Sequence, residues 1–161
     1  MAGIDYCLVV TSDRVYAGLK EDRVTPIVSE ILSSMGRRLV QSEVVPNRVM
    51  TIREAVARAA ARCRIVLVTG GTGISPRDMT VEAVEALSIK RVPGLGEEFR
   101  RRSIKSVGPR AYLSGASGYV VPPGSLVFVS PGNPDAVRVA LEILVEIDEH
   151  VVEELAGRGH A

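Results

Sequence analysis

The sequence contains no tryptophan, and aromatic residues make up only 4% of its 161 residues. So few aromatic rings leave little for the stacking platforms on which proteins hold single-stranded nucleic acid. The formal net charge is +1, so no excess of positive charge favours nucleic acid or an anionic membrane as a partner. No run of about 18 apolar residues is present, and no basic segment precedes a long apolar one, so we expect neither a membrane span nor a signal peptide.

Cysteine is also scarce, with only Cys7 and Cys63 in the chain. The two lack the C-x-x-C spacing of a redox pair, so we interpret them as reduced packing residues of a cytoplasmic protein. Hydrophobic residues at 46% and charged residues at 24% are typical of a soluble globular domain. We expect residues 1–161 to form one domain that needs no disulfide or structural metal.

Short apolar runs alternate with segments of helical periodicity along the chain. Strands are predicted at residues 4–10, 38–45, 65–69 and 125–130. Helices are predicted after the N-caps Thr25, Thr51 and Asn133, and from about Thr80 and Leu95. A turn or hairpin is predicted at residues 122–124. This alternation predicts an α/β layered domain with a largely parallel sheet.

The most informative segment joins the predicted strand at residues 65–69 to the helix near Thr80. It contains Gly70, Gly71, Thr72 and Gly73. Because glycine tolerates positive φ, consecutive amides can point inward and form a nest for an anion, and the helix dipole adds to it. The segment has neither the Gly-Lys-Ser/Thr of a P-loop nor the order of a dinucleotide fingerprint. It therefore predicts a site for a phosphorylated small molecule, with a plain tight turn as the alternative.

Polar side chains follow the glycines directly. They are Ser75, Arg77, Asp78 and Thr80. We assign catalysis to Asp78, because a carboxylate beside phosphates can hold Mg²⁺ or orient an attacking phosphate; a helix cap is the alternative. Arg77 is predicted to clamp a phosphate through two hydrogen bonds, with a surface ion pair as the alternative.

Other polar segments also follow predicted strands, where open α/β sheets bind their ligands. The segment at residues 11–23 carries Ser12, Asp13 and Asp22, although the two acids could simply stabilise turns. The segment at residues 130–134 offers a second corner for an anion, or only a capping turn. Ser114 lies among small residues that could approach a ligand or only turn the chain.

These motifs together resemble the signature of the MoaB/Mog family, which acts late in molybdenum-cofactor biosynthesis. The matching elements are Ser12-Asp13-Arg14 with Gly18 and Asp22, Val44-Val45-Pro46-Asn47, Gly70 to Gly73, Pro76-Arg77-Asp78, Thr80 with Glu82, Leu113-Ser114, and Pro131-Gly132-Asn133-Pro134. The resemblance implies a three-layer α/β sandwich with a mixed, mostly parallel central sheet. It also implies that the protein binds molybdopterin and adenylylates its terminal phosphate with Mg-ATP, releasing pyrophosphate.

The resemblance further assigns roles to residues and partners. It implies that Asp78 and Asn47 are catalytic, that Asp78 holds Mg²⁺, and that ATP and molybdopterin are the substrates. The implied binding residues are Ser12, Asp13, Asp22, Gly70, Gly71, Thr72, Gly73, Ser75, Arg77, Ser114, Pro131, Gly132 and Asn133. A homo-oligomer, trimer or hexamer, is implied, with the downstream molybdenum-insertion protein as a further partner.

Two residues depart from the family pattern. Asn47 stands where the family's Val-Pro-Asp element carries a carboxylate, so any metal binding by that group is weakened. Gly115 replaces the arginine of a Leu-Ser-Arg element and removes a possible phosphate contact. The rival function is therefore a paralogue that binds molybdopterin without adenylylating it. A nucleotide enzyme unrelated to the cofactor is a third alternative.

Overall fold

A computed structural model describes residues 3–158 of the chain. The strands are β1 (Asp5–Thr11), β2 (Arg38–Val45), β3 (Ile65–Thr69), β4 (Lys90–Val92), β5 (Ser117–Val121) and β6 (Ser125–Ser130). The helices are α1 (Asp13–Tyr16), α2 (Val24–Ser34), α3 (Val49–Arg62), α4 (Thr80–Leu87), α5 (Pro93–Val107) and α6 (Pro134–Leu155), with a 3₁₀ helix at Gly108–Leu113.

The six strands form one sheet in the order β2-β1-β3-β6-β5-β4. Strands β2, β1, β3 and β6 are parallel, whereas β5 is antiparallel to both of its neighbours, β6 and β4. The central strands β3 and β6 are buried along their whole length, as expected for strands covered on both faces. The predicted mixed, mostly parallel sheet is confirmed.

Helices cover both faces of the sheet, so the domain has three layers. On one face, Leu8, Leu67 and Phe128 lie in register and pack against α2, α5 and α6. On the other face, Val9 and Val68 belong to a second apolar cluster with α3 and α4. Burying each such side chain contributes roughly 1.5–3 kcal/mol to folding. Alternate residues of each strand thus pack on opposite faces of the sheet. This packing holds the carboxyl ends of β1, β3 and β6 side by side.

Helix α6 begins and packs as the sequence predicts. Asn133 is its N-cap, and the Asn133 Oδ1 atom accepts a hydrogen bond from the Ala136 amide at 2.9 Å. On its inner face Val137, Ala140, Leu141 and Leu144 are fully buried. Among residues 3–158, no helix is both long and apolar enough to cross a membrane.

The predicted caps of two other helices were wrong. Helix α2 begins at Val24 rather than after Thr25, and the Asp22 carboxylate accepts from the amides of both residues at 2.9 and 3.1 Å. Helix α3 begins at Val49, two residues before Thr51, and has no side-chain cap. Both helices therefore begin before the threonine whose residue type suggested an N-cap, because packing of the apolar face extends each helix towards its N-terminus.

The two cysteines form a disulfide, so the prediction that both are reduced was wrong. Cys7 lies in β1, and Cys63 ends α3 just before the neighbouring strand β3. Their Cα atoms are 5.8 Å apart, within the usual range for a bridge. Both side chains are almost completely buried beneath α3. A separation of 56 residues in sequence does not reveal this pairing, which results from the order of the strands.

We expect reduction of this disulfide to lower the free energy of unfolding by about 2–4 kcal/mol, because the bridge closes a long loop in the unfolded chain. Thermal unfolding with and without a phosphine reductant measures the effect. The control is the double variant Cys7→Ala with Cys63→Ala, whose midpoint should not respond to the reductant. A wild-type midpoint that is equally unresponsive after verified reduction would contradict the prediction.

A buried ionic network lies at the other end of β1, away from the carboxyl edge of the sheet. Asp148 of α6 is completely buried and accepts from the Tyr6 hydroxyl at 2.8 Å. Arg37 donates to both carboxylate oxygens, from Nε at 2.9 Å and from Nη2 at 2.7 Å. Burial, together with the adjacent carboxylate, raises the pKa of Tyr6 above its usual range, so its hydroxyl stays a donor. The network ties β1 and the turn after α2 to α6.

Candidate functional site

The glycine-rich loop after β3 takes a backbone conformation that depends on glycine. Gly70 and Gly71 have φ of +91° and +68°, in the left-handed region that other residues avoid. A Cβ atom on Gly70 would overlap the carbonyl oxygen of Thr11 at the end of β1. The Gly70 amide donates to the Ser130 carbonyl at 2.8 Å, and the Gly71 carbonyl accepts from the Thr80 amide at 3.1 Å. The loop is therefore held against β1, β6 and α4 at once.

This loop offers backbone donors that the protein does not use. Within residues 3–158, the amides of Gly71, Thr72 and Gly73 donate to no protein acceptor. The carbonyl of Thr72, in contrast, accepts from the Gly115 amide at 2.8 Å, which joins the loop to the segment around Ser114. Backbone amides without protein acceptors beside a helix start are an arrangement with which proteins bind anions, so the predicted anion site remains a prediction that this geometry allows.

Asp78 lies against the same loop. Its Oδ2 atom accepts from the Ser75 amide at 3.2 Å, and its own amide donates to the Ser75 carbonyl at 2.9 Å. A Cβ atom on Gly73 would lie only 2.8 Å from Asp78 Oδ2, so a glycine at this position avoids a steric clash with the carboxylate. Among residues 3–158, no amide of α4 donates to the Asp78 carboxylate, so Asp78 does not cap this helix. The carboxylate closes the turn at residues 75–78 and borders the cleft.

Asn47 links three loops of the site. Its backbone N–H donates to Asp13 Oδ1 at 2.7 Å, and its side-chain oxygen accepts from the Met79 backbone amide at 3.3 Å. Because a backbone N–H can bond only to an acceptor, the Asn47 oxygen must face Met79, and the Asn47 NH₂ group points elsewhere. A Cβ atom on Gly71 would lie 2.9 Å from that oxygen. Asn47 thus positions the residue next to Asp78.

A first cleft with a volume of about 430 Å³ opens beyond the carboxyl ends of β3 and β6. Its polar end is the glycine loop with Asp78, and its apolar wall comes from α5 and α6. The lining residues are Gly71, Thr72, Gly73, Asp78, Phe99, Ser103, Ser106, Val107, Arg110, Ala111, Leu113, Ser114, Pro131, Gly132, Asn133, Asp135, Ala136 and Val139.

A second cleft of about 290 Å³ lies on the other side of the turn after β6. Gly132 and Asn133 line both clefts, so this turn is the wall between them. The hydroxyls of Thr11 and Thr69 are buried without a hydrogen-bond partner in the described part of the chain. The lining residues are Val10, Thr11, Ser12, Val15, Lys20, Glu21, Asp22, Arg23, Val24, Thr69, Gly132, Asn133 and Pro134.

The structure places the predicted site residues around these clefts. The first cleft takes Gly71, Thr72, Gly73, Asp78, Ser114, Pro131, Gly132 and Asn133. The second takes Ser12, Asp22, Gly132 and Asn133. Neither cleft is lined by Asp13, Asn47, Gly70, Ser75 or Arg77. The first three of these make hydrogen bonds that join neighbouring loops and strands, whereas Ser75 and Arg77 are exposed.

Several predicted binding residues also cap helices. The Ser12 hydroxyl accepts from the Val15 amide at 3.2 Å in α1, while Asp22 caps α2 and Asn133 caps α6. For Asn133 this is the capping turn that the sequence left open, and Asp22 stabilises the turn before α2 as its alternative has it, whereas capping by Ser12 was not predicted. Since all three residues also border a cleft, capping sets their positions without removing them from the site.

The sequence interpretation missed one wall of the first cleft. Phe99, Ser103 and Val107 project from one face of α5, spaced four residues apart. Arg110 on the 3₁₀ helix and Val139 on α6 complete this wall. The spacing in α5 is visible in the sequence and could have identified the face, although not the site to which the face belongs.

The charged groups of the site do not form a preformed metal centre. Among residues 3–158, no three histidine, cysteine, aspartate or glutamate side chains gather as a metal site. Asp78 and Asp135 are the acids of the first cleft. One or two carboxylates are what Mg²⁺ takes from proteins when phosphate oxygens of a substrate supply further ligands. The donor set therefore fits Mg²⁺ that arrives with a phosphorylated ligand.

Comparisons with known proteins agree with this geometry. The model of a family described as "Probable molybdopterin binding domain" matches residues 7–150. A molybdenum cofactor biosynthesis bifunctional protein of Synechococcus elongatus is 33% identical over 161 aligned residues, which cover 99% of this chain and 50% of that protein. A molybdopterin adenylyltransferase of Pyrococcus furiosus is 31% identical over 150 residues, covering 91% of this chain and 88% of that protein.

The fold agrees with the same group of proteins. The crystal structure of the tungsten cofactor synthesizing protein MoaB from Pyrococcus furiosus has a TM-score of 0.86 at 30% identity. The similarity covers 95% of this chain and 97% of that one. The chain therefore belongs to the MoaB/Mog family of molybdenum-cofactor biosynthesis proteins.

Proposed function

We propose that this protein is a molybdopterin adenylyltransferase, which transfers AMP from ATP to the terminal phosphate of molybdopterin. The observation that carries the proposal is the pair of clefts that meet at Gly132 and Asn133, beside the amides of Gly71 to Gly73 that have no protein acceptor. Two phosphorylated substrates, one in each cleft, would bring their phosphates together at this turn. The name of the Pyrococcus furiosus relative supports the same activity.

The reaction joins a phosphate oxygen of molybdopterin to the α-phosphorus of ATP. The bond between that phosphorus and the bridging oxygen to the β-phosphate breaks, and pyrophosphate leaves. Transfer of this kind needs the reacting groups in line and the charge of the phosphates neutralised. The amides of Gly71 to Gly73 would hold phosphate oxygens, and the helix start at Thr80 adds a favourable dipole.

Asp78 has one role in this proposal. It would hold Mg²⁺ together with phosphate oxygens of the substrates, since its carboxylate borders the first cleft beside the glycine loop. Mg²⁺, when bound, screens the phosphate charges and so favours attack. Asn47 supports Asp78 by fixing the Met79 amide, and Asp13 in turn holds the Asn47 loop.

Pyrophosphate release on mixing the chain with molybdopterin, ATP and Mg²⁺ tests the proposal. We expect release that depends on all three components. Molybdopterin binding, followed in parallel by calorimetry, separates catalysis from simple binding. Binding without release would support the rival function, a molybdopterin-binding paralogue, and neither binding nor release by the folded chain would contradict both.

Asn47 is the observation that favours the rival. The change Asn47→Asp keeps an acceptor oxygen for the Met79 amide and replaces the NH₂ group by a second, charged oxygen, so it restores the missing carboxylate. We expect turnover to rise roughly tenfold or more, because a carboxylate near the glycine loop strengthens metal binding. An inactive native chain that becomes active in the variant would establish the disabled paralogue. Equal, high activity in both proteins would contradict that alternative.

Further parts of the proposal follow from the family resemblance. They are assembly as a homo-oligomer (trimer or hexamer), transfer of the product to the downstream molybdenum-insertion protein, and a cytoplasmic location. Each is open to direct measurement, the first by light scattering of the purified chain.

A further inference from the structure

The first cleft has an unbalanced set of charges. Three charged side chains line it, namely the acids Asp78 and Asp135 and one cation, Arg110. A ligand that carries a phosphate would meet two carboxylates there. Amides supply partial positive charge, but a full positive charge within the cleft can come only from Arg110 among the described lining residues.

The three arginines of α5, by contrast, are already engaged. Arg100 of α5 donates from Nη1 to the carbonyls of Ser114 and Ala116 at 3.0 and 2.7 Å. It therefore holds the segment that carries Ser114 in place. Arg101 and Arg102 donate to Glu98 at 2.6 and 2.7 Å, outside the cleft. The basic cluster on α5 is thus occupied by backbone carbonyls and surface ion pairs.

Arg110 has no such partner. Within residues 3–158 its guanidinium makes neither a hydrogen bond nor an ion pair, and its side chain is exposed at the cleft. Its backbone is nevertheless well anchored, because the next residue, Ala111, is buried and its carbonyl accepts from the Ser114 amide at 3.3 Å. A guanidinium on an anchored backbone can bind phosphate with two parallel hydrogen bonds.

We propose that Arg110 binds the phosphate of the ligand in the first cleft and thereby sets the preference of this cleft for phosphorylated ligands. The identity of that ligand rests on the proposed function, in which the phosphate belongs either to molybdopterin or to ATP. The role of Gly73 and Asp78 is distinct, because they lie on the loop after β3, whereas Arg110 lies on the 3₁₀ helix.

Calorimetry with matched pairs of ligands tests this assignment. One pair is molybdopterin and its dephosphorylated form, and the other is α,β-methylene-ATP and adenosine. We expect Arg110→Ala to weaken binding of the phosphorylated member of one pair by roughly 10- to 100-fold, the usual loss for a charged hydrogen bond. Binding of the partner without phosphate should stay unchanged. The affected pair identifies the source of the phosphate.

Two further variants complete the test. Arg110→Lys keeps the charge and should retain part of the affinity, whereas Arg101→Ala, an exposed arginine outside both clefts, should retain all of it. Equal affinity of Arg110→Ala and the native chain for both phosphorylated ligands would overturn the assignment. An equal loss of affinity in Arg110→Ala for the ligands with and without phosphate would also overturn it. Failure of the native chain to bind either phosphorylated ligand would instead overturn the proposed function, on which the assignment rests.

Discussion

Replacing Asp78 by asparagine should lower the rate of pyrophosphate release by roughly 100- to 1,000-fold, the loss typical of removing one preorganised electrostatic group from an active site. Asparagine has nearly the same volume and keeps an oxygen that can accept from the Ser75 amide. The turn at residues 75–78 and the fold should therefore persist. What disappears is the negative charge beside the glycine loop, and with it the proposed hold on Mg²⁺.

Steady-state kinetics at several Mg²⁺ concentrations measure this effect. The requirement for Mg²⁺ should shift to higher concentration in the variant, which a purely structural role would not cause. The matched control is Asp5→Asn, since Asp5 pairs with Arg38 at the start of β1, at the far end of the sheet. Unchanged turnover and Mg²⁺ dependence in Asp78→Asn would remove Asp78 from the mechanism.

Replacing Asp148 by alanine should lower the free energy of unfolding by about 3–5 kcal/mol, because it leaves the charge of Arg37 without its buried partner. The Tyr6 hydroxyl would also lose its acceptor inside the core. Of the two acids near Arg37, only Asp148 is completely buried, while Glu149 is 66% exposed and 3.9 Å away. Urea unfolding followed by circular dichroism measures the change.

The control for this prediction is Glu149→Ala, which should change stability by no more than about 0.5 kcal/mol, as is usual for an exposed ion pair. Molybdopterin binding by the folded fraction of Asp148→Ala should remain, since the network lies at the opposite end of β1 from both clefts. A loss in Asp148→Ala that is no larger than that in Glu149→Ala would show that the buried network contributes little.

Local signals in the sequence were sufficient for much of the fold. The strands β2, β3 and β6 begin and end at the predicted residues, and the helix α4 begins at the predicted residue. Each is a short segment whose boundaries are marked by glycine, proline or a change of periodicity. The strands β4 and β5, the helix α1 and the 3₁₀ helix were not predicted, because each is short and, unlike β3 and β6, is not a continuous apolar run. Register and strand order, in contrast, depend on contacts between distant segments.

The candidate site, like the fold, has parts that local sequence signals predict and parts that depend on distant contacts. The glycine loop and Asp78 are contiguous in sequence, and the structure brings them together at one cleft. The link from Asp13 through Asn47 to Met79 joins residues 34 and 32 positions apart, so no local pattern reveals it. The disulfide between Cys7 and Cys63 was missed for the same reason. Spacing alone could not show that Arg77 is exposed and lines neither cleft.

The measurement that tests the central claim most directly is the transfer of label from ATP to molybdopterin. ATP labelled at the α-phosphate and ATP labelled at the γ-phosphate are each incubated with the native chain, molybdopterin and Mg²⁺. The proposed adenylyl transfer predicts a molybdopterin product that carries the α-label, while the γ-label appears only in pyrophosphate. Recovery of the γ-label on molybdopterin, or of both labels only in unreacted ATP while the folded chain binds both substrates, would contradict it.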